Sequence, residues 1–183
     1  MTKSSNNKTQ KLYRFEVDQS VRIEELNRDT IIGLANEEHA FTFKVPRGVK
    51  RRLYETFRRE GKPKLFGPRV FASAVALTIV RSGFRIQELI IDLEYPGYDE
   101  QIIEIISGFF PSVMVVFTSI GKNSPAHEAA HFTYKRRLKV NVIANQRDIK
   151  NTLSKAKDRR TVTPRVYRDS QPNRPITRKH SKR

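Results

Sequence analysis

The sequence has no cysteine and no tryptophan, and it has no apolar run long enough to span a bilayer. Without cysteine, the chain can form neither a disulfide framework nor a thiolate metal site. The first ten residues are polar and lack the apolar core of a signal peptide. These absences lead us to expect a soluble, intracellular (cytoplasmic) protein with no membrane partner, and 183 residues suffice for one domain with a core.

Acidic residues are scarce at both ends of the chain. Residues 1–12 hold three Lys and no acid, and residues 147–183 hold 13 Lys and Arg against 3 Asp, whereas residues 13–146 hold 20 against 16. Because the positive charge lies in blocks rather than mixed through the sequence, it favours contact with a polyphosphate over a general role in solubility. We therefore expect a nucleic-acid partner, with DNA, RNA and the oligomeric state left open.

Apolar periodicity predicts an α/β fold in which three strands precede alternating helices and strands. The predicted strands are 13–18, 30–35, 39–45, 88–94, 113–117 and 138–143, and the predicted helices are 48–60, 69–81, 98–110 and 125–137. Short connections and right-handed crossovers then favour a mixed sheet flanked by helices. We expect one domain over residues 11–145, between a disordered basic leader (1–10) and a basic, largely disordered tail (146–183) with a helical turn or two at its start.

Two predicted strands end in carboxylates. In the 88–94 strand, Asp92 and Glu94 share one face before Pro96 and Gly97 stop the strand. Asp18 ends the first strand. Acids at the carboxyl ends of strands lie where α/β proteins commonly build their sites.

This order of elements resembles the ribonuclease H-like fold, which includes ribonucleases H, Holliday-junction resolvases, transposase cores and Argonaute nuclease domains. Asp18-Gln19-Ser20 is similar to the Asp-x-Ser often found at the end of the family's first strand. Asp92 lies where the family has its second or third acid, and His127 and Glu128 begin the helix that carries the final metal-binding residue. The resemblance covers roughly residues 11–145 and implies a divalent-metal-dependent nuclease or resolvase.

The resemblance implies a catalytic set of Asp18, Asp92, Glu94 and His127, and a metal-binding set of Asp18, Asp92 and His131. Parallel neighbouring strands lie about 4.8 Å apart, so these acids, with Glu16 near them, would repel one another unless a cation such as Mg²⁺ or Mn²⁺ joined them. Two such ions about 4 Å apart would promote phosphodiester hydrolysis. The alternative is that Asp18 is a turn residue, Glu16 pairs with Arg14, and Glu94 is a solvated strand end.

Two positions in the family pattern stay open in this sequence. The final site residue is His127, Glu128 or His131, and the Glu that many members carry on the first helix is Glu55 or Glu60. Because these positions stay open, a catalytically inactive nucleic-acid-binding adaptor of the same fold is the alternative function.

A basic surface is predicted on the first helix, the loop that follows it and the tail. Its residues are Lys50, Arg51, Arg52, Arg58, Arg59, Lys62, Lys64, Arg159 and Arg160. We expect these side chains to bind the nucleic-acid backbone.

His127-Glu128-Ala129-Ala130-His131 also matches the H-E-x-x-H pattern of zinc hydrolases, in which two His one turn apart bind zinc and Glu acts as the base. Pro125 places His127 in the first turn of its helix, unlike the zinc peptidases. A third ligand would have to be Asp148, Asp158 or another His. A zinc hydrolase is therefore a second alternative.

Overall fold

The structure, a computed structural model, describes residues 13–158 and 166–168. The strands in these residues are β1 (Arg14–Gln19), β2 (Thr30–Ala35), β3 (Ala40–Val45), β4 (Glu88–Ile91), β5 (Met114–Phe117), β6 (Val142–Ile143) and β7 (Val166–Arg168). The helices are α1 (Arg47–Arg59), α2 (Phe66–Ser82), α3 (Asp99–Phe109), α4 (Pro125–Tyr134) and α5 (Gln146–Asp158), with a 3-10 turn at Pro63–Leu65. The leader 1–10 and the tail residues Arg159 and Arg160 lie outside the described residues.

The strands form one mixed sheet in the order β6-β3-β2-β1-β4-β5-β7. β1, β2 and β3 are an antiparallel meander, while β4 pairs in parallel with β1, and β5 with β4. The short strands β6 and β7 extend the two edges in parallel with β3 and β5. This arrangement confirms the predicted α/β class, and it is compatible with a ribonuclease H-like topology.

One face of the sheet carries the main hydrophobic core. Phe15 and Val17 of β1 point to this face and pack with α2, whose Phe71 and Val75 are fully buried. Apolar residues nearly all round α2 predict such burial. By length and composition alone, Pro63–Ser82 could cross a membrane, but 67% of its most apolar window is buried inside the fold. Burial in the domain accounts for its apolar composition, as in core helices of soluble proteins.

The opposite face of the sheet is covered by α4, which packs closely because the contact residues are small. Ala126 and Ala129 of α4 pack with Ala35 of β2 in a separate apolar cluster. A Cβ atom on Gly33 of β2 would collide with the carbonyl of Ala126 and lie 2.9 Å from the amide nitrogen of Ala130. Gly33 therefore sets how near α4 approaches the sheet.

The chain departs from the predicted strand 88–94 after Ile91, where β4 ends. The amide of Glu94 donates to the carbonyl of Asp92 at 2.7 Å, which closes a tight turn. Leu93, which alternation places beside Ile91 on the buried face, is 52% exposed. Asp92 and Glu94 thus lie in a turn beyond the strand, not on one face of it.

The folded unit extends beyond residue 145, where the sequence predicts the tail to start. Helix α5 packs on α2 and α3, with Ile149 and Ala156 at 0% and 2% exposure. Asn145 accepts from the amide of Asp148 at 2.8 Å, next to the first turn of the helix. The buried residues recur at helical spacing, so this segment is an amphipathic core helix despite its high charge.

We predict that Gly33→Ala destabilises the domain, because α4 must move away from β2 to admit the new methyl group. The free energy of unfolding should fall by roughly 1–3 kcal/mol, as for other overpacked sites. Urea denaturation followed by circular dichroism measures this change. The control is Gly121→Ala, since no described residue other than its chain neighbours has an atom within 4 Å of a Cβ at Gly121. Equal stability of the two variants would contradict the packing role of Gly33.

Candidate metal site

Three carboxylates meet at the carboxyl ends of β1 and β4. The parallel register places Val17 opposite Ile91, so Asp18 and Asp92 follow at the same edge of the sheet. The turn after β4 adds Glu94, and one oxygen from each side chain lies within 4.8 Å of the other two. Among the described residues, this is the one group of three or more such side chains close enough to hold a metal ion.

Asp18 is held firmly at the centre of this group and is only 5% exposed. Its Oδ1 accepts from the amide of Gln19 at 2.7 Å, and its Oδ2 lies 2.7 Å from His127 Nδ1. When Asp18 is ionised, Nδ1 carries the proton and donates it. That leaves the lone pair of His127 Nε2 available to accept from a water or to bind a metal ion.

Asp92 and Glu94 are oriented by different partners. Asp92 Oδ1 accepts from the amide of Ile120 at 3.0 Å, in the loop between β5 and α4. Oδ2 of Asp92 has no hydrogen-bond partner in the described part of the chain. Glu94 Oε2 accepts from Arg22 Nε at 3.1 Å, and the Arg22 guanidinium also lies over the Tyr95 ring.

The electrostatics of the group favour binding a cation. Burial raises the pKa of Asp18 and of Glu94, and the nearby Asp92 carboxylate raises both further. His127 opposes the shift in the pKa of Asp18, and Arg22 opposes that of Glu94. Three acids are thus crowded together with incomplete compensation, a state that a divalent ion would relieve.

Helix α4 begins as the sequence predicts, and this start positions His127. Ser124 is the N-cap and accepts from the amide of His127 at 3.2 Å, and Pro125 occupies the first helical position. The His131 ring stacks on that of His127, with 5.8 Å between ring centroids. Of the three residues left open in the sequence, His127 is the one that contacts the acids.

The H-E-x-x-H pattern is not completed into a zinc site in the described residues. Among the described residues, neither His127 nor His131 belongs to a group of three or more His or acidic side chains close enough to hold a metal ion, and Glu128 is exposed to solvent. Asp148, one of the possible third ligands, pairs with Arg81 and Asn145 around α5. The side chain of Asp158 lies outside the described residues.

Other acids from the sequence analysis lie apart from the cluster. Glu16 faces the same side of β1 as Asp18 but does not join the group of three, and its buried Oε2 has no hydrogen-bond partner among the described residues. Arg14, the pairing partner predicted for Glu16, contacts Glu88 instead. On α1, Glu55 pairs with Arg58, and Glu60 is exposed at the end of the helix.

Lys50 corrects the predicted basic surface, because it is fully buried. Its Nζ donates to Thr30 Oγ1 at 2.8 Å and to the carbonyl of Arg22 at 3.2 Å. Lys50 precedes Leu53 by three residues and Phe57 by seven, so it lies beside the apolar stripe of α1. That spacing is the signal in the sequence that predicts its burial.

The remaining basic residues predicted on α1 and its loop are exposed: Arg51, Arg52, Arg58, Arg59, Lys62 and Lys64. Several are engaged locally. Arg51 donates to the carbonyl of Leu26, and Arg52 to Gln146. Lys62 and Lys64 have no ion-pair partner among the described residues.

Arg22 is a residue of the site that the sequence analysis missed. It follows Asp18 by four residues in a loop, and nothing in the local pattern connects it with Glu94, 72 residues away. Lys50 fixes its backbone through the bond to its carbonyl. The site therefore depends on a buried lysine that never touches the acids.

We predict that Asp92→Asn raises the thermal stability of the metal-free protein at pH 7. The pKa values of Asp18 and Glu94 are higher in the folded state than in the unfolded state. The two protonated groups therefore add to folding stability below the unfolded pKa values, and this stability is lost as the pH rises through the folded pKa values. Removing the Asp92 charge reduces that loss, while the Asn oxygen still accepts from Ile120. Differential scanning calorimetry in EDTA measures the effect.

The same experiment with Mg²⁺ or Mn²⁺ tests the binding of the ion. At a hundredfold excess over Kd, an ion should raise the Tm of the parent by about 5–10 °C, and that of Asp92→Asn far less. Glu100→Gln, an exposed change on α3, should respond like the parent. A parent Tm that does not respond to either ion would contradict the metal site.

A further prediction concerns Lys50, because burial lowers the pKa of its ammonium group to about 8. The folded state then binds fewer protons than the unfolded state above that value, so Lys50 makes stability rise from about pH 8 to pH 10.5. Urea denaturation should show the parent gaining up to roughly 3 kcal/mol relative to Lys50→Met across this window. Exposed Lys62→Met should follow the parent, and parallel pH profiles for the parent and Lys50→Met would refute the buried charge.

Comparisons with protein-family models, with curated proteins and with solved structures found no match to this chain. What the site does must therefore be inferred from its own residues and their geometry. Those residues are three crowded carboxylates, a histidine fixed by one of them, and an arginine fixed by another.

Proposed function

We propose that the chain is a divalent-metal-dependent nuclease that hydrolyses phosphodiester bonds, with Asp18, Asp92 and Glu94 as its metal-binding carboxylates. The observation that carries this proposal is the convergence of these three side chains within 4.8 Å at the ends of two parallel central strands. A stabilising role alone is a poor account of them, because burial and mutual repulsion raise the pKa of both Asp18 and Glu94.

The topology supports membership of the ribonuclease H-like superfamily, which is part of the proposal. The sheet order, the antiparallel meander and the parallel β1–β4–β5 pairing are compatible with that fold. Asp18 on β1, Asp92 just after β4 and His127 in the first turn of α4 match the positions at which the resemblance implies site residues. A fold hosts many functions, so the activity itself rests on the site.

The ligand chemistry favours Mg²⁺ or Mn²⁺. All three side chains offer hard carboxylate oxygens, and the sequence has no cysteine. When bound, such an ion activates a water and stabilises the leaving oxygen of an in-line displacement at phosphorus. The orphaned Oε2 of Glu16, on the same face of β1, provides a further acceptor for a water close to the carboxylates.

The neighbouring residues have distinct roles in this proposal. Asp18 accepts from Nδ1 of His127, so the lone pair of Nε2 can take a proton from a water; when Nε2 carries that proton, it can donate to a phosphate oxygen or pass the proton to the leaving oxygen. Arg22 favours the ionised form of Glu94 and holds the carboxylate in place through the bond to Oε2. Lys50 fixes the loop that carries Arg22.

The test is a cleavage assay with Mg²⁺ or Mn²⁺ on labelled duplex DNA, single strands, an RNA–DNA hybrid and a four-way junction. We expect the parent to cut at least one substrate and EDTA to abolish the cutting. Asp92→Asn should reduce the rate by more than the roughly 10- to 100-fold that loss of a supporting group costs a metal site. Glu100→Gln, which leaves the cluster intact, should retain the parent's rate.

The outcomes separate the alternatives. Binding of a substrate without cleavage, in the parent as in Asp92→Asn, would favour the catalytically inactive adaptor. Cleavage that survives EDTA or Asp92→Asn would refute the acidic site as the catalytic centre. Activity that depends on stoichiometric zinc and on His131 would instead favour the zinc hydrolase.

A further inference from the structure

A groove of about 750 Å³ lies beside the C-terminal end of α4. Its walls come from the loop before β2, the start of α1, one residue each of β2 and β3, and the last turn of α4 with the segment that follows it. The charged side chains that line it are Arg28, Asp29, Lys44, Arg47, Arg136, Arg137 and Lys139. Six cations thus surround a single carboxylate.

The positive charge of this groove is largely unneutralised. Asp29, the one acid, is already engaged by Lys44 Nζ at 2.6 Å and by the amide of Arg47 at 2.8 Å. The side chains of Arg47, Arg136 and Lys139 have no carboxylate partner within the described part of the chain. A concave surface with this charge concentrates anions.

One further feature indicates a ligand. Thr133 lines the groove and is 6% exposed, yet its hydroxyl has no hydrogen-bond partner among the described residues. An unpaired polar group buried at a concave surface is typical of a binding site. The φ of 59° at Arg136 belongs to the turn that ends α4, in which the amides of Arg136 and Arg137 donate to the carbonyls of Thr133 and Phe132.

The groove and the acidic cluster lie on the same face of the sheet, at opposite ends of α4. Ile31 of β2 lines the groove, and Gly33, two residues on, is paired with Asp18. His127 contacts Asp18 in the first turn of α4, while Thr133 lies in its last turn. The ten residues of α4 span about 15 Å, the length of roughly four stacked nucleotides of one strand.

We propose that this groove binds the phosphodiester backbone of the nucleic-acid strand that the acidic cluster cleaves. The inference rests on the proposed function, and it adds a binding surface that contains none of the basic residues predicted from the sequence. Arginine guanidinium groups match phosphate oxygens in pairs, and Arg47, Arg136 and Arg137 supply three of them. The strand runs from the groove along α4 to the carboxylates near His127.

The experiment measures binding without catalysis. Fluorescence anisotropy with labelled single- and double-stranded oligonucleotides, in EDTA and at several NaCl concentrations, gives Kd and its salt dependence. The test variant is Arg136→Gln with Lys139→Gln, two exposed residues whose side chains make no described hydrogen bond. The matched control is Arg81→Gln with Arg85→Gln, which removes two exposed charges at and just beyond the end of α2, outside the groove and the predicted basic surface.

We expect the groove variant to bind at least tenfold more weakly than the parent near 100 mM salt. The slope of log K against log salt should fall by about 1.8 for a duplex, since each lost phosphate contact removes about 0.9. The control variant should lie close to the parent in both quantities. Circular dichroism of all variants confirms that they are folded.

Each outcome bears on one proposal or on both. Equal affinity of the groove variant and the parent would overturn the groove while leaving the nuclease proposal intact. If the parent binds nucleic acid through the groove but cleaves no substrate, the groove proposal is supported and the nuclease proposal is contradicted. A parent that binds no oligonucleotide, or that binds polyglutamate through Arg136 and Lys139 equally well, would overturn the groove's assignment to nucleic acid.

Discussion

The parallel pairing of β1 with β4 is the constraint on which the site depends. Residues 14–17 of β1 pair with 88–91 of β4, although more than 70 residues separate them in the chain. Asp18 and Asp92 come next in each strand, so the register alone places their carboxylates at one edge. A shift of one residue would turn Asp18 into the hydrophobic core on the opposite face. The hydrophobic residues that fix the register, Phe15, Val17, Leu89 and Ile91, therefore also fix the site.

Holding these charged groups together costs electrostatic free energy, and their partners in the fold compensate only part of it. Burial works against ionisation of Asp18 and Glu94, and His127 and Arg22 each compensate one of them. Lys50 contributes to this arrangement, because its buried ammonium group donates to the carbonyl of Arg22 and so fixes the loop that carries Arg22. Charged groups held at such a cost are more typical of binding and catalysis than of structural stability.

Helix α4 connects the two functional regions that we propose. Its first turn places His127 against Asp18, and its last turn forms a wall of the basic groove. Its close approach to the sheet requires Gly33 on β2 and alanines on its own inner face. Small residues thus set the distance between α4 and the carboxylates, and with it the geometry of any strand that lies along the helix.

The sequence by itself determined the class of fold, the order of the elements and the residues of the acidic cluster. Strand and helix periodicity are local, and so are the Ser124 and Pro125 signals that begin α4, which is why these features can be predicted from neighbouring residues. Only the tertiary structure decided that β4 ends before Asp92, that α5 belongs to the core and that Lys50 is buried. It also decided that His127 contacts Asp18, that Arg22 pairs with Glu94 and that distant cations line one groove. These features depend on contacts between segments far apart in the chain, and a local pattern carries no information on which distant segment a side chain will meet.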